Sequence, residues 1–123
     1  EVKKLYRLAI FNLFTHNRDD HSKNFSFILD EKNSWKLSPA YDLTFSYGVG
    51  TEHSTTYLNE GKNPTLKHLE KLALKHGIKE YKQIIDEVRN SVLDFSDIAK
   101  DVGLSKEEII SLCKIFNNQI GEK

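Results

Sequence analysis

Residues 17–43 read NRDDHSKNFSFILDEKNSWKLSPAYDL, and the succession of polar and apolar runs within them decides how this part of the chain must fold. The first eight residues, Asn17 to Asn24, include two carboxylates, an imidazole, an ammonium and two amides. FSFIL (25–29) and SWKLS (34–38) are short β-prone runs on either side of the turn-rich DEKN (30–33), a pattern that predicts a β-hairpin. Pro39 ends the second run, and AYDL follows it directly. A hairpin returns the chain to its starting point. Asn24 at its entrance and Asp42 at its exit, eighteen positions apart, are thereby placed to face one another.

The flanking segments are helical. Val2 to Phe14 (VKKLYRLAIFNLF) is apolar around most of a helical circumference, so a helix buried on nearly all sides is expected. Thr44 to Pro64 is rich in Gly, Ser, Thr, Asn and Tyr without periodicity, and a loop of that length in a compact domain tends to be functional or mobile. From Pro64 or Thr65 a helix carries Leu66, Leu69, Leu72 and Ala73 on one face and stops at Gly77. A second spans Glu80 to Asp101, with a break expected near Asp94–Asp97, and Gly103 follows it. Ser105 and Glu108 form a capping box for a last helix, whose apolar face is Ile109, Ile110, Leu112, Cys113, Ile115, Phe116 and Ile120. The fold class is therefore mainly α (α+β): a helical bundle with one short hairpin, in a single domain over residues 1–123.

Composition narrows the function. With 38% apolar and 29% charged residues the chain is globular. Eighteen basic side chains balance eighteen acidic ones, which speaks against a direct nucleic-acid surface. There is no membrane-length apolar run and no leader pattern, so a cytoplasmic protein without membrane contact is expected. Cys113, the one cysteine, is read as a buried core thiol. The chain opens on Glu1 and contains no Met, which suggests a fragment of a longer protein.

The chemistry belongs to residues 1–43. Asp19 is followed five residues later by Asn24, an interval used in the catalytic loop of protein-kinase-type phosphoryl-transfer enzymes. There the Asp orients or deprotonates the attacking hydroxyl, while the Asn is a neutral oxygen ligand for Mg²⁺. Such a site needs a second metal ligand after the next strand pair, and Asp42 stands there. The Asp–Asn interval alone arises readily by chance; with Asp42, His21 and Lys23 it becomes a constellation. Other readings stay open at this level. Asp20 is read as a solvated neighbour or cap, Lys23 as a surface lysine or a phosphoryl-neutralising charge, and Tyr41 and Pro39 as packing residues that fix the approach of Asp42. His21 has no other His at a zinc-like spacing, and His53, His68 and His76 are read as solvent or helix-face residues.

NRDDHSKNFSF followed by LSPAYDL resembles the C-terminal kinase lobe of the HipA family, bacterial serine/threonine kinases that act as toxins of toxin–antitoxin modules. The residues matching its N-x-D-x-H-x-K-N-x-S and Y-D patterns are Asn17, Asp19, His21, Lys23, Asn24, Ser26, Tyr41 and Asp42. The D-x-H-x-x-N core is also similar to that of phosphatidylinositol kinases. The resemblance implies a kinase-like C-lobe in which Asp19 is the catalytic base, His21 and Lys23 support it, and Asn24 and Asp42 bind Mg²⁺ and through it ATP. It also implies a protein substrate and a DNA-binding antitoxin partner. An upper lobe with a phosphate-covering loop and a lysine is missing. The glycines at 48 and 50 do not lie between strands. The chain is thus expected to be a lower lobe with weak or no kinase activity and poor ATP affinity alone. Two alternatives remain: an interaction or DNA-binding module built on the helices Thr65–Gly77 and Glu80–Val92, and a degenerate kinase lobe retained for binding. A regulatory role is expected for the loop 44–64, and deletion of residues 48–56 tests it.

Overall fold

A computed structural model describes residues 1–48 and 52–121. The expected loop 44–64 is therefore described except at positions 49–51, which lie outside these residues. In chain order the elements are α1 (Val2–Phe14), a 3₁₀ turn (Ser22–Asn24), β1 (Phe27–Leu29), β2 (Trp35–Leu37), α2 (Leu66–Lys75), α3 (Tyr81–Leu93), α4 (Phe95–Asp101) and α5 (Lys106–Gly121). The molecule is mainly α with one antiparallel hairpin, as its sequence pattern requires. No helix among the described residues is long and apolar enough to cross a membrane.

The helix α1 packs against α3 and α5, and its burial is uneven along its length. Ile10, Leu13 and Phe14 are fully buried, together with Asn12, whereas Val2 and Leu5 face solvent. The expectation of a helix covered on nearly all sides holds only for its C-terminal half, because the first turns run along the rim of the bundle. The Tyr6 hydroxyl donates to the Leu69 carbonyl at 3.0 Å and ties α1 to α2. Burial pushes that phenol far above its ordinary value, so it remains a donor. Ion pairs from Lys3 to Glu80 (3.0 Å) and from Arg7 to Glu87 (2.7 Å) line the outer seam between α1 and α3. Such exposed pairs contribute little beside the buried apolar side chains.

The helical half follows its pattern closely. Leu69 and Ala73 of α2 and Ile84, Ile85, Val88 and Val92 of α3 enter the same core as Phe116 of α5. Thr65 caps α2, and its backbone N–H donates to Nδ1 of His68 at 3.1 Å, so His68 is a capping side chain and more than a helix-face residue. The expected break falls at Asp94, which ends α3 and begins α4. The Ser105–Glu108 capping box is present, with N–H to carboxylate at 2.9 Å and the return bond at 3.2 Å. Two expectations for α5 are corrected: Ile110 is exposed and Cys113 only half-buried. The stripe of α5 is wider than the face its neighbours cover.

In the hairpin Phe27 pairs with Leu37, Ile28 with Lys36 and Leu29 with Trp35. Asp30 organises the turn by accepting the N–H groups of Lys32 and Ser34, both at 2.9 Å, while Asn33 supplies the left-handed residue (φ 56°). The strands are shorter than the β-prone runs, although Ser38 still donates to Ser26 at 2.8 Å. Phe27, Ile28, Leu29 and Trp35 are all exposed, so among the described residues both faces of the hairpin stay largely open, with Leu37 half-buried.

Gly48 lies where the long loop passes close to the segment after α1. It has φ +70°, and a Cβ there would lie 2.6 Å from the Glu52 carbonyl oxygen and 2.8 Å from the Arg18 Cβ. Gly77 has a similar φ (+66°) but open space around it. Gly77→Ala is expected to cost about 1–2 kcal/mol for the left-handed backbone alone, and Gly48→Ala clearly more. Urea unfolding of the two variants measures the difference; equal losses would contradict the close approach.

Candidate functional site

The site begins where α1 ends. Thr15 closes the helix through its hydroxyl, which donates to the Phe11 carbonyl at 2.8 Å. His16 then takes a left-handed conformation (φ 54°) that turns the chain outward. Asn17 is tied back to the helix by its backbone N–H to the Asn12 carbonyl (2.9 Å) and its side-chain amide to Asn12 Oδ1 (3.1 Å). On its other side Asn17 bridges Ser46: the Ser46 N–H donates to His16 and the Arg18 N–H to Ser46, each at 3.1 Å. The buried His16 ring rests near Phe45 (5.4 Å) and Tyr47 (5.5 Å).

Beyond Asp19 the chain tightens into the 3₁₀ turn, closed by the Asn24 N–H to the His21 carbonyl at 2.9 Å. The turn brings the Asn24 side chain back over the loop. Its Nδ2 donates to the Asp19 carbonyl oxygen at 3.0 Å and to Asp42 Oδ2 at 2.8 Å. Asp42 is left-handed (φ 55°), a conformation Asp tolerates better than most residues. Tyr41 holds it in place by hydrogen bonds more than by packing. Its hydroxyl donates to the Lys23 carbonyl at 2.8 Å and accepts from Ser26 Oγ at 2.6 Å, pinning the hairpin exit to its entrance.

The structure therefore brings Asp19, Asn24 and Asp42 together, with His21 beside them. His21 Nε2 lies 3.8 Å from Asp19 Oδ1, too far for a hydrogen bond, and its Nδ1 is buried without a partner among the described residues. Lys23 joins through its backbone carbonyl; its ammonium is exposed and forms no ion pair with Asp19 or Asp42. No group of three or more His, Cys, Asp or Glu side chains that could hold a metal occurs among the described residues.

Asp20 overturns its sequence reading. It is neither solvated nor a helix cap but 2% exposed. Its Oδ1 accepts the N–H groups of Ser54 (2.8 Å) and Thr55 (3.1 Å), and its Oδ2 accepts from His53 Nδ1 (3.0 Å) and the Tyr57 hydroxyl (3.4 Å). His53, expected at the surface, is 6% exposed. Burial, and then the neighbouring Asp20 carboxylate, push the Tyr57 phenol well above its ordinary value, so it stays a donor. Tyr57 also donates to the Ala9 carbonyl of α1 at 3.1 Å. Sequence reasoning missed Asn12, His53 and Tyr57. A lone amide within the apolar run of α1 was a usable signal for Asn12; nothing local marks the other two.

Over residues 1–95 the sequence matches the family described as HipA-like C-terminal domain. The chain belongs to this family. Two proteins of Sinorhizobium fredii are similar to it. One, named "Putative kinase Y4mE", is 36% identical over 70 residues, 57% of this chain and 16% of that protein. The other, named "Putative kinase Y4dM", is 32% identical over 100 residues, 77% of this chain and 24% of that protein. The chain thus spans at most 24% of the length of either relative.

His16 ties the stability of this region to pH. Burial, reinforced by the Arg18 cation, lowers its native pKa below the ordinary 6.5. The unfolded chain therefore binds more protons between 6.5 and the lowered native value, and stability falls as pH drops through that window. The urea midpoint of the native protein is expected to fall from pH 7 to pH 5 more steeply than that of His16→Asn, whose side chain tolerates the left-handed backbone without titrating. Parallel curves would show that His16 does not contribute.

Proposed function

We propose that this chain is the catalytic-loop lobe of a HipA-like serine/threonine kinase that uses Mg²⁺ and ATP. The observation that carries the reading is the Asn24 amide, which bridges the Asp42 carboxylate (2.8 Å) and the Asp19 backbone (3.0 Å). With its Nδ2 so engaged, the Asn24 Oδ1 is left as a neutral oxygen donor beside a carboxylate, a pair suited to a hard cation that completes its shell from phosphate oxygens and water. When bound, Mg²⁺ would neutralise charge on the phosphates. Asp19, half-exposed and among the described residues hydrogen-bonded only through its backbone, has a carboxylate available to orient a substrate hydroxyl and take its proton. His21 flanks that carboxylate, and Lys23 offers an exposed positive charge to a phosphoryl group.

The same reading makes a protein hydroxyl the substrate and a DNA-binding antitoxin a partner, with the protein a toxin. It also requires an upper lobe to cover the nucleotide. Exposed apolar side chains on the hairpin support this: Phe27, Leu29 and Trp35 lie on one face and Ile28 on the other. In the full-length gene product, Asp19→Ala and Asp42→Asn are each expected to reduce phosphate transfer from ATP by about 10²-fold or more. Near wild-type turnover in either variant would overturn the assignment.

A further inference from the structure

Asp19 is framed by two residues that are held, while its own half-exposed carboxylate has the His21 ring beside it at 3.8 Å. On one side the Arg18 carbonyl accepts from Ser54, by its N–H at 3.2 Å and its hydroxyl at 3.3 Å. On the other, the Asp20 carboxylate accepts from His53, Ser54, Thr55 and Tyr57, and the Asp20 carbonyl accepts from the Thr55 hydroxyl. Every one of these donors lies in residues 53–57, part of the loop that follows Asp42. The ring of His53 and the carboxylate of Asp20 are almost fully buried, at 2% and 1% side-chain exposure.

A buried polar network whose members are all hydrogen-bonded is rigid and specifies one geometry. Here the geometry specified is the register of the loop 18–20 against 53–57. A displacement of 1 Å at a reacting group is enough to slow catalysis about 100-fold. We propose that Asp20 is a positioning residue for Asp19 and that residues 53–57, latched to it through His53 Nδ1, make turnover depend on how this loop is seated. The inference rests on the kinase reading above. It adds to that reading a role for the loop after Asp42: its release would slow transfer without touching nucleotide or metal.

Variants at His53 of the full-length gene product separate the latch from simple core filling. The amide of Asn occupies the place of Nδ1 and can still donate to Asp20; Leu fills the space without donating. His53→Leu is expected to lower kcat by about 10- to 100-fold, with KM for ATP changed by less than about threefold. His53→Asn is expected to restore most of the rate. Hydrogen exchange in a peptide spanning residues 19–25 is expected to accelerate in His53→Leu and not in His53→Asn. If His53→Leu does not fold, His53→Gln, whose amide reaches the Nε2 position instead, takes its place with the same expected loss. Equal turnover in the Asn variant and the non-donating variant, with Asp19→Ala inactive, would overturn the latch and leave the kinase reading standing. Full activity in Asp19→Ala would overturn both.

Discussion

A carboxylate removed from water needs nearly its full complement of hydrogen bonds, and Asp20 meets that demand with four donors from one short segment. Removing a donor so that a buried acceptor is left unsatisfied costs about 1–3 kcal/mol. The requirement dictates the path of the loop after Asp42, since His53, Ser54, Thr55 and Tyr57 must all reach one side chain. Tyr57 carries the constraint further, because its hydroxyl is shared with the Ala9 carbonyl of α1. The loop, the turn after α1 and the helix itself are joined at one buried point.

The exposed part of the site is organised differently. Asn24 and Asp42 are brought together by the hairpin register and held by neutral hydrogen bonds from Tyr41 and Ser26. Asp42 and His16 both adopt left-handed backbone conformations, each at a point where the chain changes direction beside the site. Conformations of this kind persist when surrounding structure over-determines them. Here the anchors are the Tyr41 hydroxyl on one side and the bridge from Asn17 to Ser46 on the other.

The helices give this arrangement a rigid floor. α1 packs against α3 and α5 and delivers the loop from its buried C-terminal end, while α2 is fastened through Tyr6 and Leu69. The hairpin side chains Phe27, Ile28, Leu29 and Trp35 stand exposed.

Local order was legible in the sequence. The bounds of α1, the hairpin about DEKN, the break at Asp94 and the Ser105–Glu108 box all follow from periodicity, turn residues and caps, which act over a few neighbouring positions. The nearness of Asn24 to Asp42 was legible too, because a short hairpin permits few alternatives. Burial was not. Asp20 and Asp19 are adjacent and chemically alike, yet one is sealed in the interior and the other faces solvent. That choice depends on where residues 53–57 come to lie, more than thirty positions away, and no local pattern encodes it. The sequence by itself determined the elements and the hairpin pairing; only the tertiary structure decided which carboxylate is an anchor, because desolvation depends on everything that surrounds a group in space.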